Sequence, residues 1–175
     1  TQGVSSAASD VYKRQFVNRE QFNGDLSNWN TTAVTSMQGM FKGAKSFNSP
    51  LTYWITTNVK DMDRMFDGAW DFDQPMDFLD TRNVKYMNYM FRDTFMFNQN
   101  INSWDVRGVV STEYMFYNAT SFNSPLDKWD VSNNKVMAHQ FENSRVFNQD
   151  ISKWKVGAVT TMERIFCDAP NFNQD

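Results

Sequence analysis

Apolar positions recur along this chain at one fixed spacing. Phe-Asn stands at Phe22-Asn23, Phe47-Asn48, Phe97-Asn98, Phe122-Asn123, Phe147-Asn148 and Phe172-Asn173, with Phe72-Asp73 in the one gap, so every step is 25 residues. Four residues after each Phe comes Leu26, Leu51, Met76, Ile101, Leu126 or Ile151, and three further on Trp29, Trp54, Leu79, Trp104, Trp129 or Trp154. A Val column follows (Val34, Val59, Val84, Val109, Val159, with Asn134 as the exception), then a Met column (Met37, Met62, Met87, Met137, Met162, with Thr112 as the exception). A second Phe column closes the unit: Phe41, Phe66, Phe91, Phe116, Phe141 and Phe166. A period kept without insertion or deletion marks a repeat architecture in which each unit lies on the last. A slip of one residue would carry every side chain out of its column.

Two shorter periodicities alternate inside the unit. Met37, Met40, Phe41 and Ala44 sit at i, i+3, i+4 and i+7, the stripe of a short helix held by packing rather than by propensity. Ile101-x-x-Trp104-x-Val106 suits a short strand. Gly, Asn, Asp and Pro fill the corners, and Pro50, Pro75 and Pro125 fit a corner better than a strand interior. The expected fold is an α/β solenoid: a leucine-rich-repeat-like right-handed coil with short parallel strands on one face and short helices or turns on the other. The Asn column beside the first Phe is read as structural, each amide bonding the neighbouring unit.

Six full units span 22–171, with partial units at both ends. Residues 1–15 fit no column and read as a non-native or disordered leader, which leaves 16–175 as a single repeat domain. Neither end shows an atypical polar cap, so the chain reads as part of a longer array. An open edge predicts end-to-end self-association.

The unit W-D-V-x-x-V-x-x-M-x-x-M-F-x-x-A-x-x-F-N-x-x-I resembles the BspA-like surface-protein repeat. Trp104-Asp105-Val106, Met115-Phe116, Ala119, Phe122-Asn123 and Leu126 carry the likeness, which runs in phase over residues 16–175. Phe78-Leu79, Asn134 and Gln140 depart from it. The resemblance implies a leucine-rich-repeat-like coil, exposure at a cell surface or outside the cell, and a part in adhesion.

Composition narrows the function classes. A formal charge of −3 lacks the basic footprint of a nucleic-acid partner. No apolar window of about 18 residues appears, so no membrane insertion is expected within this segment. One cysteine, Cys167, rules out an internal disulfide framework. With 16 Phe, 11 Met and 6 Trp beside a mean hydropathy of −0.62, the chain should have a thin core with much surface around it.

No enzyme is expected. His139 shares a column with Gly39, Arg64, Tyr89, Tyr114 and Arg164, which reads as solvent-facing, and Cys167 reads as exposed and incidental. No catalytic triad, zinc spacing or phosphate-cradling loop is present, and no cofactor is implied. Asp80, Asp105 and Asp130 would stack about 4.8 Å apart if their strands paired. Calcium between turns would offset the repulsion, and so would Arg82 and Arg107, which suffice without metal.

Aromatic side chains outside the core columns point to binding. Tyr53 and Phe78 share an outward column beside Ile55, Trp70 and Phe95 share another near a corner, and Tyr89 and Tyr114 a third; adjacent units should stack each pair. The expected function is non-enzymatic recognition or adhesion at a surface, binding protein or glycan. The contact area is the strand face: Tyr53, Ile55, Phe78, Asp80, Arg82, Asp105, Arg107 and Asp130. The alternative is a structural spacer array without a specific ligand.

Overall fold

The computed structural model describes residues 13–174. The 25-residue period is written directly into its backbone hydrogen bonds. Parallel bridges join Ser36 to Asp61, Asp61 to Tyr86, Tyr86 to Ser111, Ser111 to Val136 and Val136 to Thr161. Beside them Lys60 N–H donates to Thr35 O, Lys85 to Lys60 O, Val110 to Lys85 O, Lys135 to Val110 O and Thr160 to Lys135 O, all at 2.8–3.0 Å. We number the units 1 (22–46), 2 (47–71), 3 (72–96), 4 (97–121), 5 (122–146) and 6 (147–171).

The helix expected over 37–44 does not form, and among the described residues there is none. Its N–H groups are spent in two directions instead. In unit 2, Met62, Arg64, Phe66 and Gly68 donate to Tyr86, Asn88, Met90 and Arg92 of unit 3 at 2.8–3.0 Å. Met65, Asp67 and Ala69 donate three residues back along their own unit at 2.9–3.2 Å. A left-handed residue at two positions of each unit forces this alternation, since a helix cannot continue through a positive φ. One such column is Asn18, Gly43, Gly68, Asp93, Asn118, Asn143 and Asp168, the residue types that tolerate it. The other, four residues earlier, is Arg14, Gly39, Arg64, Tyr89, Tyr114, His139 and Arg164, at φ +53° to +59°.

The strand expected at 101–106 is also replaced by turns. Trp104 N–H donates to Ile101 O (3.1 Å) and Val109 N–H to Val106 O (2.9 Å). Side chains knit this side of each unit to the next. The hydroxyls of Thr31, Thr56 and Thr81 donate to the carbonyls of Ile55, Asp80 and Asp105 at 3.0–3.1 Å, and Ile55 and Asp80 N–H donate back to Thr31 and Thr56. Trp54, Trp104, Trp129 and Trp154 each donate Nε1–H to a carbonyl of the preceding unit at 2.8–3.2 Å.

The core is a pair of interleaved Phe columns. Rings of the two columns six residues apart, as in Phe41–Phe47 and Phe141–Phe147, lie 3.8–4.1 Å from each other, and successive rings of one column 5.4–6.0 Å. The Asn column forms a continuous rail. Asn23, Asn48, Asp73, Asn98, Asn123 and Asn148 each accept, at Oδ1, the N–H of the residue one unit on (2.8–3.1 Å). Such pairing satisfies turn backbone that a sheet ladder would otherwise hold.

Most of the expected leader, residues 1–12, lies outside the described residues. Arg14, however, is in phase: its φ of +55° matches Gly39 one unit on, and its N–H donates to Gln38 O at 3.1 Å. The repeating register therefore reaches back past Phe16.

Candidate functional site

Not all the residues expected on the strand face point outward. Tyr53 is 75% exposed and Ile55 47%. Phe78, one unit on from Tyr53, is half-buried and packs against the core. The expected Tyr53–Phe78 stack is therefore absent among the described ring contacts: Phe78 follows the apolar neighbours beneath it while Tyr53 stays in solvent.

Asp80, Arg82, Asp105 and Arg107 do come together, around one open depression that Ser103 and Gly108 also line. Arg82 Nε donates to Asp80 (2.8 Å), and Arg107 Nη2 to Asp105 (2.6 Å). The Arg107 hydrogen bond holds the Asp105 carboxyl below its ordinary range. Asp130 stands apart from the depression and accepts the Ser132 N–H at 3.1 Å; the Ser132 hydroxyl first, and then this N–H, lower its carboxyl too. Each carboxylate in this column thus has a partner in its own unit. Among the described residues the grouping of metal-ligand atoms lies elsewhere, at Glu142, Cys167 and Asp168, and Glu142 is already engaged by Arg164 and His139.

A second surface runs along the turn side of the coil. Along it, three residues apart, stand the exposed Tyr86 and the half-buried Tyr89, Arg92 and Phe95 of unit 3, and the half-buried Ser111, Tyr114, Tyr117 and Thr120 of unit 4. Four of the six Tyr in the chain are among them. Rings and guanidinium groups stack from unit to unit. Arg64 lies over Tyr89 at 3.8 Å, Tyr89 stacks on Tyr114 at 4.8 Å and 5°, and Tyr114 on His139 at 4.2 Å and 9°. Such contacts favour parallel faces when backbone ladders fix the spacing.

Two carboxylates anchor this surface from beneath. Asp67, 1% exposed, is met by Lys42 (3.3 Å), Arg64 (3.2 Å) and Arg92 (2.7 Å). Glu142, also buried, is met by Arg164 at 2.6 Å and by the His139 ring. The Arg164 hydrogen bonds, then the His139 contact, hold the Glu142 carboxyl low, and the same pairing pushes the Arg164 guanidinium up. Burial pushes the Tyr114 phenol up. His139 is therefore half-buried and stacked, not the free surface group expected from its variable column.

At the corner beyond, Trp70 and Phe95 meet at 5.6 Å, with Lys45 Nζ 4.5 Å over the Trp70 ring. The Trp70–Phe95 and Tyr89–Tyr114 pairs were legible as columns. Tyr86, Arg92 and Tyr117 were not gathered with them; their signal was the three-residue step.

The family model described as Mycoplasma protein of unknown function, DUF285, matches residues 9–102 and again 87–175. The chain belongs to this family. No curated protein matches it. Two overlapping matches in one DUF285 chain accord with a repeated unit, and the family description carries no activity to transfer. Among the described residues, no helix is long and apolar enough to cross a membrane.

Proposed function

We propose that this DUF285 chain is a section of a solenoid array, akin to BspA-like leucine-rich repeats, that recognises a partner without catalysis at a cell surface or outside the cell. The observation that carries the reading is the turn face. It presents Tyr86, Tyr89, Arg92, Tyr114 and Tyr117 side by side, with Trp70 and Phe95 at its edge. Tyr, Trp and Arg are the residues that dominate binding energy at interfaces, and rings already stacked lose little further freedom on binding.

Protein is favoured over glycan for this face. Both faces of Tyr89 are covered, by Arg64 and Tyr114, and both faces of Tyr114, by Tyr89 and His139. The stack offers ring edges and hydroxyls, whereas a sugar stacks on an open ring face.

Binding of the purified, labelled chain to intact source cells, read by flow cytometry before and after protease treatment, tests the reading. Protease-sensitive binding that falls at least about tenfold in a Tyr86→Ser, Tyr117→Ser variant of unchanged melting temperature is the expected result. A wild-type chain that binds nothing points instead to a spacer array, and a variant that binds equally well takes the contact off the turn face.

A further inference from the structure

Charge is spread unevenly around the coil. The outer corner of the units, 55–60 in unit 2 and its equivalents through 155–160 in unit 6, carries Lys60, Arg82, Lys85, Arg107, Lys135 and Lys155 against Asp80, Asp105 and Asp130. Six cations thus face three carboxylates, in a chain whose formal charge is −3. The two arginines are engaged by Asp80 and Asp105. The four lysines are exposed, and among the described residues none has a carboxylate within ion-pair distance.

Backbone bonds hold the lysines in file. Lys85 N–H donates to Lys60 O (2.8 Å), Val110 to Lys85 O (3.0 Å) and Lys135 to Val110 O (2.9 Å), so Lys60, Lys85 and Lys135 share one rail. The Lys85 ammonium lies over Gly108, 3.2 Å from where a Cβ would stand. Gly108 lines the depression with Arg82 and Arg107, so this ammonium stands beside it. In the column of Ser103, which lines that depression, and two units before it, stands Tyr53. It is the most exposed of the large apolar side chains, and no described ring or cation covers it. Unlike the turn-face rings, Tyr53 offers an open face.

We propose that this corner binds an acidic polysaccharide, with sulfate or carboxylate groups along the Lys60–Lys85–Lys135 file and a sugar ring on Tyr53. Uncompensated ammonium groups in a row attract a polyanion by long-range field and by short-range pairing. The interleaved carboxylates decide which polyanion. Asp80, Asp105 and Asp130 accept hydrogen bonds from sugar hydroxyls, whereas a phosphodiester backbone has no donors to offer them and is repelled. A single open aromatic also falls short of the successive platforms that single-stranded nucleic acid uses. The corner occupies other columns than the turn face and does not depend on the reading of that face.

Fluorescence titration of the full chain at low ionic strength tests this, with heparin and polygalacturonate as probes and neutral dextran and double-stranded DNA beside them. At least one acidic polysaccharide should bind, and raising the salt should weaken it. A Lys60→Gln, Lys85→Gln, Lys135→Gln variant should lose about tenfold or more in affinity. Tyr53→Ala should lose several-fold, and the Tyr86→Ser, Tyr117→Ser turn-face variant nothing. Melting curves verify that each variant folds. The proposal is overturned if neither polysaccharide binds, if the lysine variant binds as well as wild type, or if DNA binds as tightly as the polysaccharides and Tyr53→Ala changes nothing.

Discussion

Replacing Gln140 with Met should stabilise the chain, although it breaks the one side-chain hydrogen bond Gln140 makes. Gln140 is buried in the column of Met40, Met65, Met90 and Met115. Its Oε1 accepts from Thr112 Oγ1 at 2.8 Å, and Thr112 Oγ1 in turn accepts from Asn134 Nδ2 at 3.0 Å. Its Nε2 is the one buried side-chain polar atom without a partner among the described residues. An orphaned buried donor costs about 1–3 kcal/mol, whereas a neutral hydrogen bond is worth about 0.5–1.5 kcal/mol net. Met removes the first and forfeits the second, and it returns an apolar side chain of similar volume. It also takes the acceptor from the buried Thr112 hydroxyl, a rotor that must turn to another oxygen. With that rotation made, the balance is a gain on the order of 1 kcal/mol, or about 2–4 °C in melting temperature for a chain of this size. Urea melts supply the comparison. Hydrogen exchange at the amides of unit 5 localises the change, because a repeat array need not unfold in one step. Met115→Gln is the mirror experiment: it buries an amide in the same column without Thr112 beneath it and should cost about 2–4 kcal/mol. A Gln140→Met variant less stable than wild type by 1 kcal/mol or more would refute the reasoning, and would mean that the Thr112–Asn134–Gln140 network acts cooperatively.

The Asn rail predicts that Asn98→Ala, which strips the acceptor from Asn123 N–H and Ser124 Oγ, costs about 1–3 kcal/mol in urea melts. Asn98→Asp should cost far less, since Asp73 already serves in that column. Phe91→Ala, which empties a site between Phe66, Phe97 and Phe116, should cost about 3–5 kcal/mol. Gly68→Ala, at φ +75°, should cost about 1–2 kcal/mol, with Gly68→Asn milder on the same melts. Glu142 predicts an acid limb. Its folded pKa is depressed below the ordinary 4.5, by Arg164 first, so its contribution is complete above about pH 4.5 and drains away as pH falls through the folded value. Stability measured against pH should therefore fall less steeply below pH 4.5 in Glu142→Gln than in wild type.

The period was legible because burial filters each column to one chemistry. Phe41 through Phe166 all lie between the same neighbours, so the same residue type recurs. Local conformation was less legible. Met37, Met40, Phe41 and Ala44 satisfy the spacing of a helix, and they satisfy equally a run of turns that advances three or four residues at a time. The deciding sign was Gly43, Gly68, Asp93, Asn118, Asn143 and Asp168, the residues that accept a left-handed backbone. Tyr89, Tyr114 and His139 hold the same conformation without announcing it, because their stacking and the ladders on either side impose it. Thr31, Thr56 and Thr81 likewise do the work expected of a strand by hydrogen-bonding through their side chains, which β-propensity does not reveal.

That local misreading carried into the site. On a helix three residues fall about 60° short of a full turn, so Phe95, nine residues after Tyr86, would lie on the opposite face. On the observed turns Tyr86, Tyr89, Arg92 and Phe95 are all at least partly exposed. Arg92 then reaches the buried Asp67 of the unit before it, and Tyr117 reaches Tyr114. Strand alternation misled in the same way at Phe78, which was assigned outward with Tyr53. Exposure there is decided unit by unit, by whether the neighbouring units supply apolar contacts. The columns themselves are properties of the sequence; which columns lie side by side is a property of the backbone between them. A face assembled from adjacent columns, such as the lysine file with Tyr53 beside it, therefore comes into view only once the turns are in place.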